Sequence, residues 1–175
     1  MLAVVTGGSK GIGASIAKKF LQEGYRVVLS ARTETAFTRD LPKDRALFVP
    51  LDLKYRESHQ TLAMRAADFG GGKIDCWVNN LGFSKWLRLE DITNENLQEM
   101  MELNLFSSFW GAQAAKAHMK GEGSIINVSS LAGKRGSANN SVYCAAKFGL
   151  NGMTQSLAKE LGVEQQTLSE AALNY

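Results

Sequence analysis

Tyr143 and Lys147 stand four residues apart in Ser141-Val142-Tyr143-Cys144-Ala145-Ala146-Lys147, a stretch whose pattern predicts the first turns of a helix. Residues i and i+4 project from one helix face, so ring and ammonium lie side by side. A phenol ordinarily keeps its proton at neutral pH, and a lysine cation beside it favours the phenolate. A tyrosine so placed can give a proton to a carbinol oxygen or take one from it. Taken alone, the pair has an ordinary explanation, an aromatic ring packed under a lysine stem. Its meaning depends on what converges on it.

The elements that must position the pair can be read from hydrophobic periodicity. Short β-branched runs alternate with helix-period segments: Leu2 to Thr6, Arg26 to Ser30, Ala46 to Leu51, Ile74 to Asn79 and Ser124 to Ser129 are predicted strands. Between them lie predicted helices over Gly11 to Glu23, Glu57 to Phe69, Thr93 to about Met119 and Val142 to Leu161, with Pro42 keeping any helix before the third strand short. This alternation implies an α/β fold, a Rossmann-like doubly wound parallel sheet with helices on both faces.

The first strand ends in Thr6-Gly7-Gly8-Ser9-Lys10-Gly11-Ile12-Gly13, a glycine-rich turn that opens into a helix. Glycines allow a tight turn and close approach to a pyrophosphate, and the helix N-terminus offers free N–H groups and a positive dipole end. A strand before the turn and a helix after it lift the dinucleotide reading above that of a plain tight turn. At the end of the second strand, where a carboxylate would bind the ribose of NAD, the chain has Ser30-Ala31-Arg32. Arg32, with Lys10 nearby, can pair with a 2′-phosphate, which favours NADP(H) over NAD. Asp52, in Leu51-Asp52-Leu53, is placed either to accept a hydrogen bond from adenine or to cap the next helix. Asn79-Asn80-Leu81-Gly82 closes the fourth strand with residues suited to a turn lining the same groove.

In this order the motifs resemble the short-chain dehydrogenase/reductase family from residue 2 to about 162. Thr6-Gly7-x-x-x-Gly11-x-Gly13 resembles its cofactor turn, Asp52 its adenine-binding aspartate, and Asn79-Asn80-Leu81-Gly82 its Asn-Asn-Ala-Gly motif with Leu81 for Ala. Asn104 matches its catalytic asparagine, and Ser130 precedes Tyr143 by a separation familiar in the family. The resemblance implies that Tyr143 exchanges a proton with the substrate oxygen, Lys147 stabilises the tyrosinate and holds ribose hydroxyls, Ser130 hydrogen-bonds the substrate oxygen, and Asn104 holds a relay water. The cofactor set expected from turn and resemblance together is Gly7, Ser9, Lys10, Gly11, Ile12, Gly13, Arg32, Asp52, Leu53, Asn80, Gly82, Tyr143 and Lys147. The substrate expected is a small carbonyl compound or 3-oxoacyl thioester; Lys134 and Arg135 would suit an acidic carrier, though a solvated loop explains them better.

The chain has 175 residues, 45% hydrophobic and 21% charged, with a formal charge of +3. That length can bury one sizeable core, and the scattered cations give no support to nucleic-acid binding. Two cysteines and two histidines without paired spacing point away from metal ligation and disulfides. No run approaches a membrane span, so a soluble protein of a reducing, cytoplasmic compartment is expected. Residues 1–162 are read as the NADP-binding domain with the catalytic groups. Residues 163–175 are read as an atypical tail without the β-branched sixth strand usual in the family, expected to form a helical turn or fray and to leave an unpaired edge on the fifth strand. That departure opens a rival reading: a truncated, weakly active or inactive homologue or splice form that binds NADP or a partner. The helices near 93–119 and 142–161 resemble the family's dimer-forming pair, and a homo-oligomer is expected.

Overall fold

The computed structural model describes residues 1–121, 123–162 and the backbone of 166–171. Six parallel strands form one sheet: β1 (Leu2–Thr6), β2 (Arg26–Ala31), β3 (Ala46–Pro50), β4 (Cys76–Asn79), β5 (Gly123–Val128) and β6 (Gln166–Ala171). Their order is β3-β2-β1-β4-β5-β6, so the winding reverses between β1 and β4. In open α/β sheets the crevice outside the carboxyl ends of such a pair receives ligands. Strands β1, β2 and β4 are buried on both faces and are therefore almost wholly apolar, rather than alternating.

Six helices connect the strands: α1 (Gly11–Gln22), α2 (Ala36–Arg39), α3 (Arg56–Gly70), α4 (Asn94–Met101), α5 (Ser107–His118) and α6 (Ser141–Gly162). Two apolar clusters lie on either side of the sheet. One joins Leu2, Val4, Trp77 and Ile125 to Leu62 and Ala66 of α3, Ala112 and Ala115 of α5, and Leu161 of α6. The other joins Ala3, Val5, Val27, Leu29 and Val78 to Ala17, Ile16 and Phe20 of α1. Alternate strand residues feed opposite clusters because the side-chain period of a strand is two.

Two departures from the sequence reading have physical causes. The helix expected over Thr93 to Met119 is two α-helices joined by a π-helical stretch, Glu102–Phe106, with Asn104 at its centre. A π-helical turn is accommodated inside an otherwise continuous helical segment, so the apolar residues on either side still read as one helix in the sequence. The expectation that β5 keeps a bare edge is corrected: β6 pairs with it in parallel from Gly123↔Gln166 to Val128↔Ala171. An open edge presents a row of unpaired N–H and C=O groups, and a chain returning from α6 satisfies them whether or not its residues are β-branched. Among the described residues β6 is the edge strand. Of the tail, residues 163–165 and 172–175 lie outside the described residues. Among the described residues no helix is long and apolar enough to cross a membrane.

Candidate active site

The turn after β1 is fixed before any ligand arrives. Thr6 Oγ1 donates to the Val78 carbonyl and accepts from the amides of Asn80 (3.0 Å) and Leu81 (3.2 Å), stapling the end of β1 to the end of β4 at the winding reversal. Asn80 Nδ2 donates to the carbonyls of Thr6 (3.0 Å) and Gly7 (3.3 Å). Gly7 takes the left-handed conformation, φ +64°, and a Cβ at buried Gly13 would run into the Gly7 carbonyl oxygen. The residue type is therefore dictated at both places. No side chain caps the N-terminus of α1, whose N-cap residue is Lys10, so its first amides keep their capacity for an anion.

Around this turn lies a groove of about 370 Å³ lined by Gly7, Ser9, Lys10, Gly11, Ile12, Gly13, Ala31, Arg32, Thr33, Leu51, Asp52, Leu53, Asn80, Leu81, Gly82 and Leu103. Every cofactor residue expected from the sequence lines it except Tyr143 and Lys147, which lie in the adjoining pocket. Lys10 and Arg32 are exposed, and among the described residues no ion pair engages either of them. Asp52, the groove's one carboxylate, is at the end of β3 and accepts the Lys54 amide at 3.1 Å. It does not cap α3, whose N-cap residue is Tyr55. An uncapped helix start, a glycine cradle without room for side chains and two unpaired cations suit a dinucleotide carrying phosphates.

A second pocket of about 190 Å³ shares Ile12, Asn80 and Gly82 with the groove and adds Phe83, Val128, Ser129, Ser130, Tyr143 and Lys147. The structure thus brings together Ser130 from the loop after β5 and the Tyr143/Lys147 pair from the first turns of α6. Lys147 Nζ lies 5.7 Å from the Tyr143 ring centroid and donates to the Val128 carbonyl at 2.9 Å. The residue is only 4% exposed. Burial without a carboxylate partner penalises the cation and pulls its pKa down to about 8. An ammonium has three donors, so two remain for the pocket. Ser130 Oγ accepts the Ala132 amide at 3.2 Å, which engages an acceptor site and leaves the hydroxyl proton free to be donated.

Asn104 is wholly buried under this pocket. Its Oδ1 accepts the Phe83 amide (3.0 Å), and its Nδ2 donates to the carbonyls of Phe83 and Met100, both at 2.8 Å. Both amide N–H groups are committed to protein, so the side chain's visible work is to hold the Gly82-Phe83 backbone in place. Asn79, by contrast, does not line the groove: it accepts from Trp77 Nε1 at 2.8 Å and donates to Asn127 Oδ1 at 2.9 Å inside the core. The two consecutive asparagines divide into one that ties β4 to β5 and one that shapes the turn.

Residues 1–171 match the family profile described as short chain dehydrogenase. The chain belongs to the short-chain dehydrogenase/reductase family. It is 36% identical over 174 residues to the uncharacterized oxidoreductase YxnA of Bacillus subtilis (strain 168), covering 95% of this chain and 49% of that protein. It is 32% identical over 181 residues to the L-2,3-butanediol dehydrogenase of Corynebacterium glutamicum, covering 98% and 70%. Among solved structures, a metagenomic short-chain oxidoreductase in complex with NADP superposes with a TM-score of 0.91 at 34% identity, covering 100% of this chain and 81% of that one. The chain therefore spans between about half and four fifths of these relatives.

Within this member of the family, several groove residues escaped sequence reading. Ala31, Thr33, Leu51, Leu81 and Leu103 line it through position alone, and Phe83 joins the second pocket because Asn104 holds its backbone there. Thr35 Oγ1 donates to the Ser9 carbonyl at 2.9 Å, anchoring the glycine turn to the start of α2. The one sequence signal for that contact, Thr35 three residues ahead of Thr38, marks a helix start rather than a site.

Proposed function

We propose that this chain is an NADP(H)-dependent reductase of a ketone or 3-oxoacyl thioester, with Tyr143 as the general acid. The observation that carries the reading is the continuity of two cavities: the one with Ser130, Tyr143 and Lys147 opens through Ile12, Asn80 and Gly82 into the glycine-turn groove. Bound NADPH would supply a hydride to the carbonyl carbon. Ser130 donates to the carbonyl oxygen and stabilises the charge that grows there. Tyr143 delivers the proton to that oxygen, and in the reverse direction removes it from the alcohol. Lys147, protonated, stabilises the tyrosinate and uses its free donors on ribose hydroxyls, while Asn104 holds the floor of the pocket and the water that returns a proton. The α1 N-terminus takes the pyrophosphate and Asp52 the adenine amino group.

NADP is preferred to NAD because the end of β2 carries Ser30-Ala31-Arg32 in place of a carboxylate, and among the described residues no ion pair engages Arg32 or Lys10 in the groove. Exposed Lys134 and Arg135, beyond Ser130, suit the phosphates of an acyl thioester. Assembly through α4, α5 and α6 is supported by exposed Leu97, Phe109 and Phe148 on those helices and Phe106 in the π-helical stretch between α4 and α5. The experiment is NADPH oxidation by the purified chain with 2,3-butanedione and with a 3-oxoacyl thioester, NADH run in parallel. Turnover with NADPH well above NADH is expected. A second reading, a cofactor-binding homologue with little activity, is favoured by the open apolar groove along Val78, Ile126 and Val128 and would be established by tight NADPH binding without turnover.

A further inference from the structure

Tyr143, Lys147 and Asn151 recur at four-residue intervals along α6, so all three share one helix face. The first two have roles in the proposed reaction; Asn151 has none in the sequence reading. Both polar atoms of its side-chain amide are nevertheless engaged. Oδ1 accepts from Ser129 Oγ at 2.6 Å, and Nδ2 donates to the Gly133 carbonyl at 2.9 Å. These two partners bracket Ser130, Leu131 and Ala132, and no other side chain on α6 is bonded to both ends of that segment among the described residues.

The segment lies tight against the helix. Gly133 is buried, and a Cβ there would stand 2.9 Å from Asn151 Nδ2, from the Lys147 carbonyl and from Ser129 Oγ. Lys147 holds the preceding residue, Val128, through its carbonyl. Two successive groups on one helix face therefore grip the chain just before Ser130 and just after it. Within the bracket, Ser130 Oγ accepts the Ala132 amide, and Gly133 N–H bonds the Ser130 carbonyl at 2.9 Å. The serine rotor is oriented by a turn whose two ends are fixed to the helix that carries Tyr143.

We infer that Asn151 is a positioning residue, which fixes Ser130 Oγ relative to the Tyr143 hydroxyl by clamping the Ser129–Gly133 loop to α6. This rests on the proposed reaction for its catalytic consequence and on the hydrogen bonds alone for its mechanical part. Misplacing a group in a reacting constellation by about 1 Å costs up to about a hundredfold in rate, so the amide's leverage is large although it touches no substrate.

The test is Asn151→Ala made in the parent and in Ser130→Ala, with turnover of NADPH and 2,3-butanedione, NADPH affinity and amide hydrogen exchange measured together. In the parent, kcat should fall about tenfold or more, while the NADPH dissociation constant stays within about twofold. In the Ser130→Ala background the same change should cost less than about twofold, because a residue acting only through Ser130 has nothing left to act on. Exchange at the Ala132 and Gly133 amides should quicken about tenfold or more, with Ile125 in β5 unchanged. Equal kcat losses in both backgrounds, or unaltered exchange at Ala132 and Gly133, would overturn the inference. A parent without turnover, or a Ser130→Ala as active as its parent, defeats the proposed reaction instead, and the exchange rates then decide the clamp by themselves. Ser129→Ala removes one of the two bonds from the opposite side and carries the same readouts if Asn151→Ala does not fold.

Discussion

The two halves of the sheet are finished to different degrees. Around β1, β2 and β3 the glycine turn is stapled by Thr6 and Asn80, α1 and α3 lie on opposite faces, and the apolar strand residues are enclosed. Around β5 the face carrying α3, α5 and α6 is equally closed, but on the other face Ile126 is only half-buried, with Ile16, Phe20 and Tyr25 at its margin. There Val78, Ile126 and Val128 line an open apolar groove of about 610 Å³. The half around the glycine turn is thus enclosed on both faces, whereas the half with Ser130, Tyr143 and Lys147 has a wall uncovered by any described helix. Binding a cofactor and turning over a substrate are separable properties of such a molecule.

The substitution with the largest expected effect falls on the catalytic half. Tyr143→Phe should lower kcat by about 10²- to 10⁴-fold, the ordinary worth of a positioned general acid, and leave NADPH affinity within about threefold. Comparable losses in both quantities would mean that the halves are not separable.

Lys147 belongs to both halves and sharpens the contrast through pH. Its folded pKa, about 8, lies below the ordinary 10.5 of the unfolded chain. Between those values the unfolded state holds the extra proton, so stability rises with pH across the window. Below about pH 8 the burial penalty is fully present, on the order of 3 kcal/mol. Lys147→Met should therefore abolish turnover yet raise stability against urea at pH 7, with the gap closing towards pH 10.5. A variant less stable than its parent at pH 7 would contradict this.

On the nucleotide side alone, Arg32→Ala should weaken NADPH about ten- to a hundredfold by loss of a charge-assisted contact, with NADH unaffected. Calorimetric titration of both cofactors reads this directly. Equal changes for the two would remove Arg32 from the 2′-phosphate.

The smallest effect probes the open wall. Ile126→Ser on the groove should cost about 1 kcal/mol or less, whereas Leu29→Ser, wholly buried under α1, should cost about 3 kcal/mol or more. Denaturation midpoints compare the two. Similar costs would show that the β5 face is enclosed after all.

Much of the frame was legible because its signals are local. A βα turn that needs glycine, and a tyrosine and lysine one helical turn apart, are properties of neighbours in sequence, and both came out where periodicity and spacing put them. Asp52 was ambiguous between cap and groove because both roles need a carboxylate after a strand; only the start of α3 at Arg56, with Tyr55 as its N-cap, decides against the cap. β6 was missed because its pairing comes from the edge of β5 rather than from its own residues.

By itself the sequence determined the family, the alternation of elements and the glycine positions, since backbone freedom, hydrophobic period and motif spacing are written residue by residue. Only the tertiary structure decided that Asn79 faces the core while Asn80 shapes the turn, that Lys147 is desolvated, and that Asn151 grips both ends of the Ser130 loop. Each of those facts joins groups tens of residues apart, and a side chain's partners, unlike its type, exist only once the chain has folded around it.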